Sequence, residues 1–169
     1  PVPGNNLILY LDAKLQKKAE ELLGNRRGAI VAIEPSTGGL LAVVSTPSFD
    51  PNAFVTGIDF SSYGELRDSL DLPLFNRALR GQYPPGSTIK PIIALAGLES
   101  NSVTRNYAIW DKGWYQLSND ERIYRDWKRE GHGRINLESA IIESCDTYFY
   151  ELGFKMGVDT MSHYLSYFG

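Results

Sequence analysis

The stretch that most restricts what this chain can become is Tyr83-Pro84-Pro85-Gly86-Ser87. Proline fixes φ and offers no N–H, and a residue that precedes proline is pushed out of the α region, so the approach to Ser87 is not helical. From Ser87 onward the character changes at once. Ile89, Ile92, Ile93, Ala94, Leu95, Ala96 and Leu98 make an apolar run of helical length, which predicts a helix through Leu98 with Ser87 in its first turn.

Residues three apart lie on one helix face, so Ser87 and Lys90 present a hydroxyl and an amine to each other. A serine hydroxyl is a weak nucleophile until a base takes its proton, and lysine serves as that base only where its neutral form is favoured. The first-turn amides favour an oxyanion, which makes the Ser87 N–H one half of an oxyanion hole. A bare Ser-x-x-Lys match arises about once by chance in a chain of this size. A serine cap beside a solvated lysine therefore fits the residues too, and at this level the two readings stand even.

The remaining segments predict a mixed domain. Leu7 to Leu11 reads as a short strand, and Asp12 as the cap of a helix carrying Leu15, Ala19, Leu22 and Leu23 before Gly24-Asn25. Ala29–Ile33 and Leu40–Ser45 read as a hairpin across Pro35 to Gly39, central to a sheet. Residues 46 to 73 read as loop with a short helix near Tyr63 to Leu70, and 113 to 125 as a second hairpin turning at Ser118-Asn119. Helices over Leu137–Ile142 and Thr147–Met156 flank Ser144-Cys145-Asp146, and Asp159 is expected to cap a last one. The fold class is α+β, with a sheet still incomplete at Gly169.

Composition narrows the partners. With 43% hydrophobic and 22% charged residues the chain is globular, and a net charge of −3 provides no general attraction to nucleic acid or anionic membrane. No apolar run approaches the roughly 20 residues of a membrane span, and Pro1 to Asn6 has no signal-peptide pattern. One cysteine, Cys145, excludes an internal disulfide.

Pro84-Pro85-Gly86-Ser87-Thr88-Ile89-Lys90-Pro91 resembles the first active-site motif of class B penicillin-binding proteins, the monofunctional cell-wall transpeptidases. Leu11-Asp12 with Leu15-Gln16, Pro35-Ser36-Thr37-Gly38, Asn76-Arg77-Ala78 and Tyr124-Arg125-Asp126-Trp127 extend the likeness to the elongation-type penicillin-binding protein 2 group. The resemblance implies the penicillin-binding/serine β-lactamase-like fold, with residues 1–169 as the N-terminal portion of a transpeptidase domain. It also implies a Ser87 acyl-enzyme formed on peptidoglycan stem peptides, trapped by β-lactam antibiotics, and no catalytic cofactor. Ser144-Cys145-Asp146 is similar to the second motif, which would give Ser144 a proton-relay role and place Asp146 on Lys90 or the substrate amide. A carboxylate there would also favour charged lysine, which complicates a simple base role for Lys90. The third motif, Lys-Thr-Gly or Lys-Ser-Gly, does not occur in the chain, so the membrane anchor, the pedestal and this motif are expected elsewhere in the protein. Family likeness further implies the periplasmic face of the bacterial inner membrane, with a glycosyltransferase and a rod-complex scaffold protein as partners. A serine β-lactamase, a β-lactam sensor domain and a noncatalytic structural domain are the alternatives.

Cys145 stands where the family's motif has alanine or serine. If Ser144 and Asp146 face the cleft, Cys145 faces the protein behind it. Continuous pairing from a Ser118-Asn119 turn puts Asp111 opposite Asp126, and facing carboxylates destabilise a hairpin unless a cation bridges them. Gly131 and Gly133 let the chain fold back at His132, whereas Asp120 points elsewhere. Asp111, Asp126, His132 and Cys145 thus form a tetrahedral donor set suited to structural zinc. A small buried cysteine, a turn histidine and solvated aspartates would account for the same residues.

Overall fold

Asp12 turns its side chain onto the first helix: Oδ1 accepts from the Lys14 and Leu15 amides at 2.8 and 3.0 Å, and α1 runs over Ala13–Leu23. The computed structural model describes residues 4–169, so Pro1 to Pro3 of the start read above lie outside it. The chain divides into two compact units, the first ending at Tyr83 and the second spanning Pro84–Gly169.

In the first unit β1 (Gly28–Ile33) pairs antiparallel with β2 (Leu40–Thr46), with a bulge between Ala32 and Ile33. Ala42, Val44 and Thr46 are buried along one face of β2. Gln16 of α1 satisfies Val43 in both directions, its Nε2 donating to Val43 O at 2.9 Å and its Oε1 accepting from Val43 N at 2.8 Å. A side-chain amide here does what a neighbouring strand would. Helices α2 (Phe60–Asp68) and α3 (Arg77–Arg80) complete the unit, and the buried Arg77 guanidinium donates to the Asp71 and Leu72 carbonyls.

Two expectations change here. Among the described residues the hairpin is a two-stranded sheet, and none of them pairs with Leu7 to Leu11, which is not a strand. Ile8 is 98% exposed. An apolar run becomes a strand only where a partner takes its N–H and C=O groups, and periodicity does not report the partner. The short helix starts at Phe60 instead of Tyr63 because Asp59 accepts from the Ser62 amide at 2.9 Å.

In the second unit a 3₁₀ turn, Gly86–Ile89, leads into α4 (Lys90–Glu99). Strands β3 (Ala108–Asp111) and β6 (Gly133–Asn136) pair antiparallel, as do β4 (Trp114–Tyr115) and β5 (Tyr124–Arg125). Helices α5 (Leu137–Ile142), α6 (Asp146–Met156) and α7 (Val158–Leu165) follow. Ile93, Ala96, Val103, Ile135, Leu137, Tyr148, Leu152 and Met156 form the core between α4, α6 and β6. The α4–α6 approach is close, since a Cβ on Gly97 would lie 2.7 Å from Leu152 Cδ1. Glu151 ties the β3–β4 segment to α6, accepting from the Tyr107 and Tyr115 hydroxyls at 3.1 Å each. Asp159 lies in the first turn of α7 but makes no cap bond, because Gly157 at φ 80° already links α6 to α7. Among the described residues no helix is long and apolar enough to cross a membrane.

Gly131 sits at φ +78°, and a Cβ there would meet the backbone of residues 111 to 113, including Gly113 N at 2.6 Å. Backbone cannot swing aside as a flexible side chain can. Gly131→Ala is therefore expected to destabilise the intact protein by about 3 kcal/mol, seen as a lower thermal midpoint. An unchanged midpoint would contradict this packing.

Candidate active site

The non-helical approach ends one residue earlier than expected: Pro85 already has αR backbone angles and Gly86, at φ +57°, opens the 3₁₀ turn, with Thr88 Oγ1 donating to Pro85 O at 2.6 Å. Ser87 falls in this tight turn rather than in the α-helix proper. In 3₁₀ geometry residues i and i+3 eclipse, which keeps Ser87 above Lys90. Both line one cleft of about 330 Å³, with Asp146, Phe149 and Tyr150 of α6 among its walls. Ser87 is exposed, whereas Lys90 is buried.

Three acceptors surround the Lys90 ammonium. Nζ donates to Ser144 O at 2.7 Å and Asp146 Oδ1 at 2.6 Å, and lies 3.2 Å from Ser144 Oγ. The Phe149 ring centroid is 5.5 Å away. Three acceptors match the three hydrogens of an ammonium group. Ser144 reaches Lys90 twice because its φ is +53°, a left-handed conformation uncommon for serine. The turn holds it there: Ser144 N donates to Ile141 O and Cys145 N to Ala140 O. The four residues Ser87, Lys90, Ser144 and Asp146 therefore converge within one unit. Phe149 and Tyr150, which sequence reasoning missed, wall the cleft; at Phe149 and Tyr150 an aromatic residue on an apolar helix gave no local sign of facing a site.

Behind that turn, ligand atoms of Asp111, Asp126, His132 and Cys145 all lie within 4.8 Å of one another. His132 Nδ1 is 2.7 Å from Asp111 Oδ2 and 3.8 Å from Asp126 Oδ1, and Cys145 Sγ is 3.6 Å from Asp111 Oδ2. The predicted cross-strand pairing is not what brings the aspartates together. Asp111 pairs with Gly133, and Trp114 stands opposite Arg125, which centres the second hairpin on Asn119 and Asp120. Instead Gly113 joins them: its N–H donates to Asp111 Oδ1 at 2.7 Å, and its carbonyl accepts from Asp126 N at 2.9 Å. The positive φ of Gly131 and Gly133 brings His132 back onto the pair.

Two buried carboxylates face this pocket with His132 beside them, an arrangement whose charge a cation would neutralise. Burial pushes the Cys145 thiol up to about 12, with the Asp111 and Asp126 charges adding to the effect against hydrogen bonds from Thr147 and Tyr148. Burial also works to raise the Asp111 carboxyl, but hydrogen bonds from the Gly113 amide, Thr147 and His132 outweigh it and hold the group below its usual value. Soft sulfur, imidazole and carboxylate oxygen in one dry pocket are donors that fit zinc.

Comparison with known proteins agrees with the motifs. Residues 28–169 match the family described as penicillin binding protein transpeptidase domain. A peptidoglycan D,D-transpeptidase MrdA of Acinetobacter baumannii is 54% identical over 169 residues, covering 100% of this chain and 25% of that relative. The chain thus spans about a quarter of the length of the curated relatives it matches. The crystal structure of Pseudomonas aeruginosa PBP2 in complex with WCK 5153 is similar with a TM-score of 0.94 and 57% identity, covering 100% of this chain and 37% of that one. A complex between PBP2 and MreC from Helicobacter pylori is similar with a TM-score of 0.86 and 38% identity, covering 92% of this chain and 29% of that one.

Proposed function

The chain belongs to the penicillin-binding protein transpeptidase family, and from that membership we propose that it carries the nucleophile of a peptidoglycan D,D-transpeptidase. The observation that carries this reading is Lys90 Nζ, held by Ser144 and Asp146 in the cleft that Ser87 lines. Ser87 Oγ attacks the D-Ala-D-Ala carbonyl of a stem peptide, the C–N bond breaks, and D-alanine leaves with a proton. The amine of a neighbouring stem then attacks the Ser87 ester, the acyl C–O bond breaks, and the proton lost by the amine returns to Ser87 Oγ as the cross-link forms. For Lys90 to accept the Ser87 proton it first gives one up, and its contacts provide two routes, Asp146 Oδ1 at 2.6 Å and Ser144 Oγ at 3.2 Å. The Ser87 amide, in the turn that opens α4, contributes one oxyanion donor.

Residues 1–169 are in this reading the N-terminal portion of the transpeptidase domain, and the second oxyanion donor comes from outside them. β-Lactams acylate Ser87 as substrate mimics. Asp111, Asp126, His132 and Cys145 hold a structural zinc ion, which neutralises the two carboxylates and ties the 108–134 segment to the Ser144 turn. The reaction itself needs no cofactor. The protein works on the periplasmic face of the inner membrane in cell-wall elongation, and the similar complex with MreC supports a rod-complex scaffold as partner beside a glycosyltransferase.

Donor and acceptor stem peptides given to the intact protein test the reading. Cross-linked product and released D-alanine are expected, both lost in Ser87→Ala. Release that survives the substitution would overturn it. Residues 1–169 alone are expected to cross-link nothing, and product from them would contradict the division of the site.

A further inference from the structure

Helix α6 lacks a cap of its own. Its cap position is Cys145, whose side chain accepts nothing from the helix, although the first turn carries Asp146, a partner of Lys90. The missing acceptor comes from far along the chain. Asp126 Oδ2 accepts from the Asp146 amide at 2.6 Å and from the Thr147 amide at 3.2 Å. Asp126 is buried, and its other oxygen faces away from α6, accepting from Lys128 N at 3.0 Å and lying 3.8 Å from His132 Nδ1. One carboxylate thus serves two sites: Oδ2 fixes the helix end that holds Asp146, and Oδ1 turns to the metal donors.

We infer that Asp126 is a positioning residue for acylation, acting through its Oδ2 bond to the Asp146 backbone and separately from its contribution to the metal centre. The inference rests on the reading of Ser87 as the acylated nucleophile. A carboxylate facing two helix N-terminal amides fixes their direction as well as stabilising them. The Asp146 amide it holds belongs to the same residue whose Oδ1 meets Lys90, next to Ser144 in its left-handed turn. Releasing that amide frees the Ser144–Asp146 turn to relax, and displacements of about 1 Å in such a constellation cost about a hundredfold in rate.

The role is separable because asparagine keeps one acceptor oxygen. With that oxygen on the α6 amides, Asp126→Asn retains the cap but places an amide NH₂, which is no zinc ligand, toward the metal donors, at the cost of the local bond from Lys128 N. The test measures three quantities on the intact protein: the acylation rate constant with fluorescent penicillin, the fraction finally acylated, and bound zinc. Asp126→Ala is expected to acylate about thirtyfold or more slowly, with a nearly complete final fraction, and to lose zinc. Asp126→Asn is expected to lose zinc too, yet to recover the rate to within about threefold of the unaltered protein.

A merely structural role would lower the final fraction and leave the rate constant of the folded molecules alone, and that result in Asp126→Ala overturns the proposal. Should Asp126→Ala fail to fold, Asp126→Asn decides: a rate as slow as about thirtyfold below the unaltered protein would assign the effect to the metal. If the unaltered protein takes no penicillin at Ser87, the reading of function fails first, and the positioning role fails with it.

Discussion

Lys90→Ala in the intact protein should be acylated by β-lactam about a thousandfold more slowly than the unaltered protein, with a thermal midpoint within a few degrees of it. The lysine is buried, but its polar contacts are to the Ser144–Asp146 turn, and Asp146 stays partly solvated, so its loss removes little core packing. What disappears is the group proposed to take the Ser87 proton. Lys90→Arg sharpens the point, because guanidinium keeps the positive charge and does not give up a proton in proteins. If Lys90 only supplied charge, arginine would restore acylation; the proposed relay predicts that it does not. Stopped-flow acylation of both variants decides this, and near-normal rates in either would refute proton transfer through Lys90.

The proposed metal centre carries the second large expected effect. Elemental analysis of the purified intact protein should find close to one zinc per chain, and Asp111→Ala should abolish it. With free zinc a thousandfold above its dissociation constant, binding adds about 4 kcal/mol of stability, which corresponds to roughly 10 °C for a cooperatively unfolding domain of about 150–250 residues. Chelation should lower the thermal midpoint by about that amount in the unaltered protein and by much less in Asp111→Ala, which has no ion left to lose. A metal-free preparation with the same midpoint as the zinc-supplemented one would remove the metal from the account.

Where the controlling interaction is local, the sequence was a good guide. Asp12 caps α1 from the adjacent position, Ser87 and Lys90 share a face because they are three apart, and the apolar spacing on either side of Ser144 marks α5 and α6. Long-range pairing was harder to read. The donor set Asp111, Asp126, His132 and Cys145 was assembled from a hairpin register that the fold does not use, and the residues meet because Gly113 bonds both aspartates. The grouping of the four side chains holds although the register that suggested it does not. Nothing local marks Asp126 as the cap of a helix that begins 20 residues later, and Leu7 to Leu11 has the composition of a strand without a partner among the described residues.

Whether Ser87 is the acylated nucleophile is decided by intact-mass measurement of the whole protein after exposure to penicillin. One covalent adduct per chain is expected, mapped by peptide analysis to the segment containing Ser87 and absent from Ser87→Ala. An adduct of the same mass persisting in Ser87→Ala, or one mapped to another serine, would contradict it.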